Sequence, residues 1–107
     1  MPLLAMCMPI LPGKKETWNA MMDQVKQDPE FAASRESLGV HERSFLQETP
    51  AGDFVILTFE GDDPVAAFEQ IMANMPPEFA EFAKDVHGLD ASAPPPPMPI
   101  LVFDSRS

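Results

Sequence analysis

The stretch VHERSFLQETPAGDFVILTFE, residues 40–60, decides how this chain is read. Two runs, Val40 to Gln47 and Phe54 to Glu60, flank Thr49-Pro50-Ala51-Gly52-Asp53, whose proline and glycine suit a turn between antiparallel strands. Side chains alternate along a strand, so His41 and Arg43 share one face of this hairpin and Glu42 points to the other. Upstream, Trp18, Met21, Met22 and Val25 fall on one face of a helix that starts after Lys14, with Gly13 as its N-cap and Glu16 in its first turn. Asp28-Pro29 interrupts that helix, and Phe31, Arg35 and Leu38 continue with helical spacing until Gly39. Downstream, Asp62-Asp63-Pro64 places an acidic cap before a proline at the first helical position, and Val65, Phe68, Ile71, Met72 and Met75 line one face. Pro76-Pro77 restarts the chain, and Phe79, Phe82, Ala83 and Val86 mark a further amphipathic stretch closed by Gly88.

At the two ends lie further strand signals. Leu3 to Ile10 is a short apolar run closed by Pro9 and Pro12-Gly13, and it lacks the basic leader and small-residue cleavage site of a secretory signal. Ala93 to Pro99 is proline-rich and reads as extended, leading into Ile100-Leu101-Val102-Phe103 as a fourth strand. The order strand, helix, strand, strand, helix, strand predicts a single α+β domain over residues 1–107: a ferredoxin-like βαββαβ arrangement with a four-stranded antiparallel sheet and helices on one face. The strands are apolar on both faces, as in Leu4, Met6 and Met8 against Leu3, Ala5 and Cys7. A sheet with one wet face alternates apolar and polar residues, so the second face calls for a cover, and a symmetric partner subunit is the simplest one.

Composition narrows the function. Across 107 residues, 7 Lys plus Arg against 17 Asp plus Glu leave a net charge of −10. Nucleic acid and anionic membrane surfaces carry dense negative charge, which argues against either as the main partner. No run reaches the roughly 18 apolar residues of a membrane span. The single cysteine excludes an internal disulfide framework, and with no export signal the cytoplasm is the expected compartment. Metal-ligand pairs such as His-x-x-x-His, a glycine-rich phosphate loop and a serine elbow are all missing from the sequence, so no metal and no cofactor is expected.

A few residues remain as candidates for chemistry. His41 is the candidate base, since histidine is the side chain suited to proton transfer near neutral pH, and Arg43 shares its face; alternatively the two are an exposed pair at a strand edge. Arg35 lies beside Phe31 and Leu38 on a helix face, where a half-buried guanidinium seeks a carboxylate or a substrate anion; alternatively its stem covers the core and its head reaches water. Trp18 is a core residue or the wall of a pocket. Met8 belongs to a methionine-rich set that fills a core or lines an adaptable cavity. His87 closes a helix, where a cation suits the dipole; near Phe82 it is alternatively a pocket residue or an axial ligand to haem iron. Lys14 and Lys15 attract an anion at a helix start or answer nearby acids. Cys7, between Met6 and Met8, reads as a buried, inert thiol.

In element order, and in the strand-Pro-Gly-Lys-helix opening at Leu11 to Lys14, the whole chain resembles the dimeric α+β barrel superfamily, which includes antibiotic-biosynthesis and haem-degrading monooxygenases. The segments Phe45 to Phe54 and Val86 to Asp90, with Val102-Phe103-Asp104, look like a bacterial branch of hypothetical proteins in that superfamily. The resemblance implies a homodimer with a ligand site between the sheet and its helices. It points to a small-molecule-binding protein, with a cofactor-independent oxygenase or isomerase acting on a small aromatic or polyketide-like compound as its enzymatic form. There His41 acts as base, Arg35 or Arg43 holds an anionic oxygen, and Trp18, His87, Met8 and Phe82 line the ligand site. Two alternatives stand beside it: a haem-binding or haem-degrading protein, and a non-enzymatic stress-related dimer. Haem-degrading members use Asn, Trp and His from separate elements, whereas Trp18 and Asn19 are adjacent here.

Overall fold

A computed structural model describes residues 2–90 and 98–106. It is an α+β chain of three strands and four helices: β1 (Leu3–Ile10), α1 (Lys15–Lys26), α2 (Pro29–Ser37), β2 (Val40–Thr49), β3 (Gly52–Gly61), α3 (Pro64–Ala73) and α4 (Pro77–His87). The strands form one antiparallel sheet in the order β1-β3-β2. The hairpin is as expected, with each strand somewhat longer and the turn tighter, at Thr49 to Gly52.

The register fixes which residues share a face. Leu4, Met6, Met8 and Ile10 stand beside Phe59, Leu57, Val55 and Asp53, which in turn oppose Glu42, Ser44, Leu46 and Glu48. All four helices pack on this face. One core cluster joins Met6, Val40 and Phe59 to Ala67 of α3, and a second joins Ile10 and Val55 to Trp18 of α1 and Val86 of α4. Val86, Val55 and Phe59 are almost fully sealed. At full side-chain burial each stabilises the fold by about 1.5–3 kcal/mol.

The helix boundaries follow the cap chemistry. Asp63 accepts a hydrogen bond from the Ala66 amide at 3.1 Å and Pro64 follows at the first helical position, so α3 begins where a free N–H is met and a missing one is harmless. Gly88 ends α4 at φ 72°, a left-handed conformation that costs glycine nothing. Gly61 is required for a different reason: a Cβ there would run into the carbonyl oxygen of Gly39 where β2 and β3 meet. The cap of α1 is Lys14 rather than Gly13, and no side chain hydrogen-bonds its first amides.

Two expectations are corrected. Among the described residues the sheet is three-stranded, not four-stranded: Ile100 to Phe103 forms no strand, and each of these four residues is at least 76% exposed. An apolar run becomes a strand only where it gains ladder hydrogen bonds and a surface to pack on, and this segment has neither here. The proline-rich segment expected to be extended, Ala93 to Pro99, falls mostly outside the described residues. Cys7 is exposed rather than buried, because alternation turns it away from the helices, alongside Leu3 and Ala5.

Candidate functional site

Asp28 and Pro29 decide where the main cleft lies. The Asp28 carboxylate accepts the Glu30 amide at 3.0 Å, and Pro29 starts α2 directly after α1. The chain therefore turns between two short helices and lays α2 over β2 at the edge of the sheet. A cleft of about 820 Å³ opens between α1, α2 and β2. Its apolar walls are Trp18, Met22 and Val25 of α1, Phe31 of α2, and Val40 and Leu46 of β2.

An ion pair stands in this apolar setting. Arg35 Nε donates to Glu42 Oε1 at 2.6 Å, with the two side chains only 19% and 14% exposed. The guanidinium carbon lies 4.3 Å from the centre of the Phe31 ring, one helical turn earlier on α2, and Nη1 donates to Ser34 Oγ at 3.3 Å. A half-buried arginine thus has its charge matched by a carboxylate, its face by an aromatic ring and one edge by a hydroxyl. Charge pairing with hydrogen bonding is what makes such burial tolerable.

The sequence candidates divide among three places. Trp18 and Arg35 meet in the cleft. His41 borders it at the start of β2, but alternation assigns the His41 and Arg43 side chains to the opposite face of the sheet. There Arg43 Nη1 lies 3.5 Å from Glu60 Oε1. Met8, Phe82 and His87 belong to neither place. Met8 and Phe82 pack on the second core cluster, and His87 closes α4 against β1.

His87 Nδ1 lies 2.7 Å from the Pro9 carbonyl oxygen. A carbonyl only accepts, so the ring donates from Nδ1. The Leu11 amide donates to Val86 O at 2.8 Å close by, so the end of α4 is tied to the end of β1 at two points. Burial pushes the His87 pKa below its ordinary value, against the opposing pull of the Pro9 hydrogen bond, and the ring is held neutral. Its role is therefore this donation rather than a cation on the helix dipole. Phe82 meets the ring edge-on at a centroid distance of 5.9 Å. His87 is buried and lies outside the cleft.

The lysines at the start of α1 are answered by acids. Lys14 pairs with Asp85 and Lys15 with Glu48, each at 2.8 Å. The hydrogen bond that Lys15 donates to Glu48 and that carboxylate's charge, with Asp53 beyond, raise the Lys15 pKa above its ordinary value. Among the described residues, no three of His, Cys, Asp and Glu gather closely enough to hold a metal ion, and no helix is long and apolar enough to cross a membrane.

Sequence reasoning missed Glu42 as a member of the site. The signal was present: Arg35 needed a carboxylate, and alternation set Glu42 across the sheet from His41 and Arg43. What joins them is the turn at Asp28-Pro29, which brings α2 back over β2. With the geometry in view, comparison with protein-family models, curated proteins and solved structures finds no match for the chain.

Proposed function

We propose that the protein binds a small apolar or aromatic molecule in the cleft between α1, α2 and β2, as a homodimer of the dimeric α+β barrel type. The observation that carries the binding reading is the cleft itself: apolar walls that include the chain's single tryptophan, with the Arg35–Glu42 pair set among them and further charged residues at the border. Ligand sites are typically concave and mostly apolar, with a few fixed polar groups to orient the guest. Binding is favoured over turnover, because Arg43 stands on the other side of the sheet and His41 reaches only the border of the cleft, so the groups suited to an oxygenase or isomerase are not gathered in it.

The uncovered face supports the dimer. It presents Leu3, Ala5 and Cys7 of β1, Phe54 and Ile56 of β3, and Phe45 of β2, which is 51% exposed. Its charged residues, Arg43 and Glu60, pair with each other, so two copies of a strongly acidic chain can approach through it. Three strands about 4.8 Å apart and about 34 Å long offer roughly 480 Å². A standard interface takes about 800 Å² per partner, so the open face offers more than half of one.

Titration with the uncharged dye N-phenyl-1-naphthylamine, read by quenching of Trp18, tests the cleft. Saturable quenching that Ala32→Phe abolishes by filling the cleft is the expected result; unsaturable quenching, or quenching indifferent to Ala32→Phe, overturns the reading. Sedimentation equilibrium tests the assembly: a dimer weakened by Phe45→Glu is expected, and a monomer at all concentrations refutes it.

A further inference from the structure

The cleft's charge says which guests it suits. Four carboxylates line it, Asp23, Asp28, Glu36 and Glu42, against two cations, Lys26 and Arg35. Arg35 is the one cation set into the apolar part, and it is already engaged: Glu42 at Nε, Ser34 at Nη1 and the Phe31 ring against its face. An anionic guest reaching for Arg35 would sit beside Glu42 and be repelled by it. The start of α2 is the other feature that favours an anion, and the Asp28 carboxylate already caps it. Lys26 is solvent-exposed and lies 3.9 Å from Asp23.

A positively charged guest meets the reverse situation. Glu42 and Arg35 answer each other and Asp23 answers Lys26, so Asp28 and Glu36 leave an excess of negative charge at the border of the cleft. The chain's net charge of −10 draws cations from a distance and repels anions. We infer that the cleft selects an aromatic or apolar molecule carrying an ammonium or amidinium group, and rejects the corresponding acid. This rests on the binding reading above and names its ligand class. It also reverses the expectation that Arg35 anchors an acidic substrate.

Three probes of one shape and different charge test it: 2-phenylethylammonium, 2-phenylethanol and 3-phenylpropanoate, each titrated against the intact protein at low ionic strength with Trp18 fluorescence as the readout. The ammonium is expected to bind at least tenfold more tightly than the propanoate, with the alcohol between them. In Asp28→Asn/Glu36→Gln the ratio falls at least threefold while the alcohol's affinity holds, because asparagine also caps a helix. Propanoate binding as tightly as the ammonium, or a ratio untouched by the double substitution, overturns the charge inference and leaves the binding site standing. Failure of all three probes to bind saturably overturns the site itself, and the inference with it.

Discussion

Met6 and Cys7 are neighbours on β1, yet Met6 lies in the core while Cys7 is open to water. The same division runs along β3, where Val55 and Phe59 are sealed under helices and Phe54 and Ile56 are half-buried. Both faces draw on similar residue types. What separates them is what each faces: every helix docks on the side of Met6, Val55 and Phe59. Apolar character in a strand therefore states a demand for cover, and only the rest of the chain decides which face has that demand met within one subunit.

The largest expected difference between the faces is in stability. Phe59→Ala empties a sealed site against Phe68 and Ala67, and its cost is about 3–5 kcal/mol. Phe45→Ala removes a half-exposed ring from the open face and, measured on dilute protein, shifts unfolding by no more than about 0.5 kcal/mol. Urea denaturation of both variants reads this directly. Equal losses in dilute protein would mean that the open face is already covered within the subunit. A Phe45→Ala loss that grows with protein concentration would instead mark the face as an interface.

The covered side also accepts charge, provided it is paired. Arg35→Met leaves Glu42 half-buried without its cation and costs about 2 kcal/mol, discounted from the fully buried case for the water that still reaches the pair. Adding Glu42→Leu recovers much of that loss, which a double-mutant cycle in urea measures as coupling. On the open face, Arg43→Met leaves Glu60 exposed to water and changes stability within about 0.5 kcal/mol. Equal effects at the two pairs would erase the contrast between the faces.

A smaller effect tests what seats a covering helix. Asp63→Ala leaves the first amides of α3 without their acceptor and costs about 1 kcal/mol, while Asp63→Asn keeps the cap and is nearly neutral. Thermal melts of the two variants separate the lost hydrogen bond from the lost charge.

The hairpin, the proline and glycine boundaries of the helices and the alternation at His41, Glu42 and Arg43 were legible in the sequence because each depends on residues close in the chain. Ile100 to Phe103 was misread because an apolar run specifies a strand only when an edge receives it, and pairing is a property of the whole fold. Cys7 was misassigned because β1 is apolar on both faces, so its own pattern could not say which face the helices would choose. Trp18 was correctly placed on an inward face. Glu42 escaped notice because its partner lies on a different element, and the turn at Asp28-Pro29 brings them together.

The last prediction concerns protons and the covered side of the sheet, where His87 is buried. Burial holds folded His87 below its ordinary value of 6.5, so as pH falls through 6.5 the unfolded chain takes up a proton that the folded chain resists. The unfolded state then binds more protons, and stability falls with pH. This contribution is complete above 6.5, is lost progressively toward the lowered folded value, and levels off beneath it. His87→Asn keeps a donor for the Pro9 carbonyl at the position of Nδ1 and removes the titrating group, so its stability between pH 7.5 and about 5.5 is expected to be flatter than the parent's. Urea midpoints across that range decide the matter. A parent slope that survives His87→Asn would place the proton-linked group elsewhere.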